Sequence, residues 1–296
     1  MEKYLIINAD DFGMCHAQNA ATAELLARGS VTSATVMAPC AVAAEAVAFA
    51  AAHPEHAIGV HLTTTSEHGN YRWSPLCGAR VTSLRDEQGY MHRSSAAFAA
   101  HADVKDVETE LEAQIARLLE MGLSPSHLDN HMGTLYGVET GRFELLNVAF
   151  SLAEKYRLPF RFPAVFTERQ RTNAMLDIKI PKEQIERVLG YVKQMLKDKQ
   201  VVTPDYLMPG DWNGPQADSF ENYKEYVFEL YRTLDHGVTE TYIHPAVECD
   251  ELKSITPFWQ RRCYEYQLFR DPCLLQHIHA LGIKLISYRD LAAMKG

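Results

Sequence analysis

The sequence predicts an α/β fold of the TIM-barrel-like (β/α) kind, seven or eight β/α units in a single domain spanning 1–296. Three observations predict it. Short apolar runs rich in Val, Ile, Leu and Tyr alternate with helical stretches along the whole chain. Polar residues recur where those apolar runs end, which is where such barrels collect their chemistry. No linker-like or low-complexity stretch interrupts the alternation. An open doubly wound sheet is the alternative arrangement of the same units.

Tyr4-Leu5-Ile6-Ile7 reads as a strand buried on both faces, and Gly13 allows a sharp exit before Ala17 to Arg28, which has helical composition. Ala34 to Met37 is a second strand, the Ala-rich Val42 to Ala52 a closely packing helix, and Ala57 to Leu62 a third strand. Thr63 to Ser95 has no sustained period and forms a long excursion, a type of loop that is usually functional. Val107, Leu111, Ile115, Leu118 and Leu119 share one face of a helix over Val104 to Met121, and Pro125 to His131 is the fourth strand with its exit. Glu139 to Tyr156 is helical, Leu158 to Phe162 follows it, Thr167 to Asp177 is polar and irregular, and Pro181 to Lys197 is a helix opened by a proline. Tyr206-Leu207-Met208 is a short strand leading into the turn-rich Pro209 to Gly214, and Phe220 to Leu234 is amphipathic. Glu240 to Pro245 is a further strand with its exit, Phe258 to Leu281 is helical with a break at Pro272, and Ile283 to Ser287 closes the pattern before a short helix.

With 296 residues and 47% hydrophobic content the chain can bury a large core. A net charge of −9 without any dense Lys/Arg run argues against nucleic acid and anionic membrane as partners. No apolar run approaches the ~20 residues that span a bilayer, and Met1-Glu2-Lys3 runs straight into a strand, so a cytoplasmic location is expected. Six scattered cysteines without a C-x-x-C pair suit reduced thiols. A homodimer is left open.

The stretch Asn8-Ala9-Asp10-Asp11-Phe12-Gly13 places two adjacent carboxylates at the end of the first strand. Two like charges in one cavity are costly unless a cation neutralises them, so a divalent metal explains the pair economically. Alternatively, one Asp caps the following helix and the other faces water. His61 closes the third strand, His127, Asp129 and His131 the fourth, Arg161 lies in the next strand, and His244 closes a later one. A single strand-end histidine is commonly a core or surface residue; several at equivalent ends point to a site. One carboxylate with two imidazoles suits Zn²⁺, Fe²⁺, Co²⁺ or Ni²⁺, and also Mg²⁺ or Mn²⁺ with waters completing the shell. Tyr71, Trp73, Tyr136 and Trp212, in loops on the same side, suit the apolar faces of pyranose rings, against ordinary loop packing as the reading favoured for any one of them.

Asn8-Ala9-Asp10-Asp11-Phe12-Gly13, Gly59-Val60-His61-Leu62, Ser126-His127-Leu128-Asp129-Asn130-His131 and Tyr242-Ile243-His244-Pro245 together resemble the motifs of the YdjC-like (ChbG/HpnK) carbohydrate deacetylases, in the family's order and across nearly the whole chain. The resemblance implies a barrel-like fold, a divalent cation usually given as Mg²⁺, and removal of acetyl groups from N-acetylated sugars such as chitooligosaccharides. It implies Asp11, His61 and His131 as metal ligands and Asp10 as general base. Where the family often continues with a further histidine after its fourth strand, this chain has Asp129-Asn130-His131-Met132-Gly133.

Metal-assisted amide hydrolysis fits this set. His244 would protonate the leaving amine or fix the turn before Pro245, and Arg161 would hold Asp10 or pair with another acid. Asp129 is expected to orient a ligand imidazole, and His127 and Trp73 to support the ligands or touch substrate. Other readings are a different divalent-metal barrel enzyme, a phosphoesterase or sugar isomerase, and a non-catalytic sugar-binding protein. A phosphate substrate would call for Lys/Arg or a Gly-rich loop at the site, and a binding protein needs no general base.

Overall fold

Ten consecutive residues, Lys3–Phe12, form the central strand β1, buried along most of its length. The computed structural model describes residues 2–137, 140–165, 167, 168 and 182–296, and of 182–188 the backbone alone. Around β1 lie β2 (Ser33–Val36), β3 (Ala57–Leu62), β4 (Leu128–Asn130), β5 (Tyr206–Leu207), β6 (Gly237–Ile243) and β7 (Ile283–Leu285). All pairings are parallel, in the order β4-β3-β2-β1-β6-β5, with β7 pairing the start of β1. An entirely parallel sheet needs crossovers that cover it, and the helices between the strands supply them.

The ladder continues beyond β4. Leu128 bridges Phe160, the Phe160 N–H donates to Val202 O, and Asp205 N–H donates to Val238 O of β6. The sheet therefore bends round as a barrel-like α/β fold. Leu158 to Phe162, expected to behave like the other extended runs, makes only that single bridge: Pro159 contributes no N–H to a ladder.

The helices are α1 (His16–Arg28), α2 (Ala43–Ala52), α3 (Ser95–His101), α4 (Val104–Glu120), α5 (Phe143–Tyr156), α6 (Lys182–Lys199), α7 (Phe220–Arg232), α8 (Asp250–Ile255), α9 (Trp259–Arg270), α10 (Pro272–Ala280) and α11 (Tyr288–Lys295). The break expected at Pro272 separates α9 from α10, with Asp271 capping the latter through Cys273 N–H. Helix α5 begins at Phe143; the irregular stretch to Asp177 and the opening Pro181 lie largely outside the described residues. Apolar faces such as Leu111, Ile115 and Leu118 of α4 pack with Val60, Leu62 and Phe150 in one core. Leu119, expected on that face, is exposed instead, and Glu110 and Gln114 take the buried positions.

Those two polar residues tie down the excursion after β3. Glu110 accepts the N–H groups of Leu76 and Cys77, and Gln114 exchanges hydrogen bonds with the Thr63 backbone. Among the described residues, no helix is long and apolar enough to cross a membrane.

At Gly59, β3 passes close to His127, the residue ahead of β4. A Cβ there would lie 2.4 Å from His127 O and 2.6 Å from its Nδ1. Gly59→Ala should therefore destabilise the fold by about 2 kcal/mol or more through overpacking. Urea denaturation measures it, and an unchanged midpoint would show that the strands can part at no cost.

Candidate metal centre and active site

Strand β1 does not end regularly. Its register against β2 shifts between Ala9 and Phe12, and Asp11 sits at φ 58, followed by Gly13 at φ 91. Successive residues of a regular strand face opposite sides, but a bulge breaks that alternation. As a result both neighbouring carboxylates reach His61: Asp11 with His61 and His131, and Asp10 with His61 and Asp129, form two clusters of potential ligand atoms within 4.8 Å of one another.

The first cluster is a triangle. Asp11 Oδ1 is 3.4 Å from His61 Nε2 and 3.2 Å from His131 Nδ1, and the two nitrogens are 3.3 Å apart. Ligands about 2.1 Å from one ion are separated by about 3.0 to 3.4 Å in octahedral or tetrahedral arrangement, so the spacing fits a divalent cation. Asp11 Oδ1 is buried and accepts no well-formed hydrogen bond, while Oδ2 takes one from Arg262 at 2.9 Å. The unused oxygen is the one that faces the imidazoles. Each ring is held by a carboxylate on its other nitrogen, His61 Nδ1 by Asp129 at 2.7 Å and His131 Nε2 by Glu67 at 3.0 Å. This pattern fixes which nitrogen faces the triangle.

Arg161, almost wholly buried, links the second carboxylate to this frame. Its Nη1 and Nη2 both donate to Asp10 at 2.6 Å, Nη2 also lies 3.0 Å from Asp129, and Nε donates to Glu240 at 2.7 Å. Asn8 donates to Asp10 Oδ1, and Thr35 donates to Asp129. Burial opposes ionisation of Asp10, yet the guanidinium overrides it and holds the carboxyl down at about 2.

Charge counting explains the imidazoles. Asp10, Asp11 and Asp129 face the guanidiniums of Arg161 and Arg262, Glu67 faces His131, and Glu240, pushed up to about 7 by burial, shares Arg161, so with Glu240 protonated four negative charges meet two positive ones. Burial resists protonation, but Asp129, Asp11 and Asp10 push His61 up to about 9. Glu67 and Asp11 likewise push His131 up to about 10 against burial. Two protons fill the deficit of two charges; one divalent cation would fill it equally.

The remaining expected residues are placed as follows. His244 is half-buried beside the mouth; burial pulls its ring down to about 4, against the pull of Asp11, so it is neutral near pH 7. Its backbone N–H donates to Glu265, a buried carboxyl that burial pushes up to about 8. His127 is displaced from the mouth: its ring lies flat on Tyr288 at 3.7 Å, with Nδ1 at Ser126 Oγ, because it precedes β4 and so sits a layer below Asp129. Trp73 is buried and spends its Nε1–H on Thr65 O, standing edge-on to His131 as a wall. Trp212 is buried against Tyr223, Tyr136 packs on Phe160 and Phe162, and Tyr71 donates to Met14 O. Ordinary packing thus accounts for the four aromatics.

Sequence reasoning did not assign roles to Glu67, Arg262, Glu240 and Tyr288. Tyr288 O–H bonds Glu240 beneath Arg161. An acid inside the buried run Gly237–Ile243 was a usable signal for Glu240.

Strand ends that offer a carboxylate and two imidazoles to one point, in a parallel barrel-like sheet, define a class of protein: the α/β fold with a candidate divalent-cation site. The chain belongs to the YdjC-like protein family, which matches it over residues 4–280. It is 31% identical over 290 residues to a carbohydrate deacetylase of Geobacillus stearothermophilus, covering 98% of both chains. It is 30% identical over 292 residues to a carbohydrate deacetylase of Enterococcus faecalis, again with 98% of both covered. A solved structure from Enterococcus faecalis, of a proposed cellobiose-phosphate cleavage protein, aligns with TM-score 0.75 and 30% identity over 98% of this chain and 99% of that one.

Metal uptake should expel protons. At pH 7.5 both imidazoles of the EDTA-treated protein are protonated, since 7.5 lies below about 9 and about 10. Calorimetric titration with Zn²⁺ or Mg²⁺ in buffers of different ionisation enthalpy should report close to two protons released per ion. A value near zero would contradict the charge count. Asp129→Asn and Glu67→Gln should each weaken metal affinity by about 10- to 100-fold.

Proposed function

We propose that this protein is a carbohydrate deacetylase that hydrolyses the acetamide of N-acetylated sugars, mono- or oligosaccharides such as chitooligosaccharides. In this reading the whole chain is one (β/α) barrel domain, with Asp11, His61 and His131 holding a divalent cation, Mg²⁺ by family resemblance, and Zn²⁺ or another transition metal compatible with the donors. The observation that carries it is the unpartnered Asp11 Oδ1 facing two carboxylate-held imidazoles, beside a second carboxylate, in a chain whose relatives are named carbohydrate deacetylases.

When bound, the cation supplies positive charge that polarises the acetamide carbonyl and acidifies water. Asp10, ionised far below neutral pH, accepts the proton that water gives up. Arg161 keeps both Asp10 oxygens oriented, and Asn8 holds one of them. His244, neutral at rest, is assigned to take up the proton that Asp10 has accepted and hand it to the nitrogen of the departing amine. Arg262 leaves Asp11 one oxygen for the cation by occupying the other.

The phosphoesterase reading is less well served. A phosphate needs free cationic donors, whereas both guanidiniums at this site are bound to carboxylates. A purely binding protein would have no use for a second ionised carboxylate at the water position.

Acetate release from N-acetylglucosamine and N,N′-diacetylchitobiose, with and without EDTA, tests the reaction. Activity should vanish with EDTA and return with added divalent ion; release of no acetate, or indifference to EDTA, would sink the proposal. Asp10→Asn should keep its metal and lose about 10²–10⁴-fold in kcat with KM little changed. Near-normal kcat in that variant would move the base to His244.

A further inference from the structure

A cavity of about 660 Å³ opens at the end of the sheet opposite the metal triangle. It is lined by Ile58 at the start of β3, by Ser126 ahead of β4, and by Leu158 ahead of the Phe160 bridge. In barrel-like folds this face ordinarily serves stability, so a cavity of ligand size there calls for an explanation.

The two arginines on its lining are exposed. Arg157 and Arg289 line it and no carboxylate does, in a chain of net charge −9. Neither guanidinium has a carboxylate partner among the described residues: Arg289 donates to Pro54 O, and Glu154, which accepts the Arg157 N–H through its backbone carbonyl, has its carboxylate paired with Lys199. Arg157 is moreover the left-handed cap of α5, at φ 55. Glycine is usual at such a cap because a Cβ crowds the carbonyl, so Arg157 can be replaced by glycine there without backbone strain. Ser126, buried at the cavity floor, is fixed by His127 Nδ1 at 2.9 Å and presents a preorganised hydroxyl.

We infer that this cavity binds a small sugar phosphate, its phosphate held by Arg157 and Arg289 and its carbon-bearing face against Ala51 and Leu158. Two guanidiniums match the ≈ −1.5 to −2 charge of a phosphate monoester, and their fork suits its oxygens. The apolar wall favours an organic monoester over inorganic phosphate.

Calorimetric titration of the metal-loaded full chain with glucose 6-phosphate, and separately with inorganic phosphate, tests the site. One saturable site is expected, tighter for glucose 6-phosphate, and it should persist in Asp11→Ala, which separates it from the metal triangle. Arg157→Gly and Arg289→Ala should each lower affinity about tenfold or more. Arg157→Gly should keep or raise Tm, since glycine accepts φ 55, so misfolding would not explain its loss of binding. No saturable binding up to about 10 mM, binding abolished by Asp11→Ala, or full affinity in both arginine variants would each overturn the inference.

Discussion

The guanidinium of Arg161 serves three carboxylates at once, and the mouth of the sheet depends on that. Glu240 takes Nε, Asp10 takes both Nη atoms, and Asp129 shares Nη2, while the face of the group lies 4.6 Å from the centre of the Tyr242 ring. A lysine offers one compact charge without a planar fork and cannot reproduce this division. Through Asp129 the same guanidinium bears on His61, and through Asp10 on the proposed base. Removing it would strand several buried carboxylates, a situation that typically costs about 3–5 kcal/mol per broken pair.

Beneath this hub lies a supporting layer. Burial pushes Glu240 up to about 7 against the pull of Arg161, and Tyr288 donates to its second oxygen. His127 stacks on Tyr288, and Gly59 lets β3 pass close above His127. The packing that fixes β3 to β4 therefore also fixes the height at which His61 and His131 meet.

A polar cluster at strand ends was legible in the sequence because strand ends follow from apolar runs, while the choice of Asp11, His61 and His131 among its members came from the resemblance to the YdjC-like motifs. Asp10 and Asp11 were ambiguous on alternation alone; the bulge at Asp11 that brings them together cannot be read from residue types, since its left-handed backbone belongs to an aspartate and not a glycine. Arg262 lies 251 residues from Asp11 and Glu67 lies 64 from His131, distances over which neither periodicity nor spacing speaks. For the aromatics, loop position left open rings and packing both possible, and Trp73 and Trp212 are buried because the excursion after β3 and the loop after β5 fold back onto the body of the protein. Likewise Leu119 fits a helical face on paper, yet the face is set one position over by the polar contacts of Glu110 and Gln114.

The charge deficit at the mouth also separates folding from metal binding. A histidine whose pKa is raised in the folded state stabilises that state fully below its unfolded value near ~6.5, and the contribution fades as pH climbs through the folded value. For His61 and His131 those folded values are about 9 and about 10. At neutral pH, then, protons on the two imidazoles would offset the carboxylates where no cation is bound. Only as pH rises toward 9 and 10 do the protons leave, and a cation would then be the remaining means of balancing the carboxylates that the two guanidiniums do not neutralise. The bulged end of β1 can thus be built before any ion arrives, with Asp11 Oδ1 already aimed at the two imidazoles.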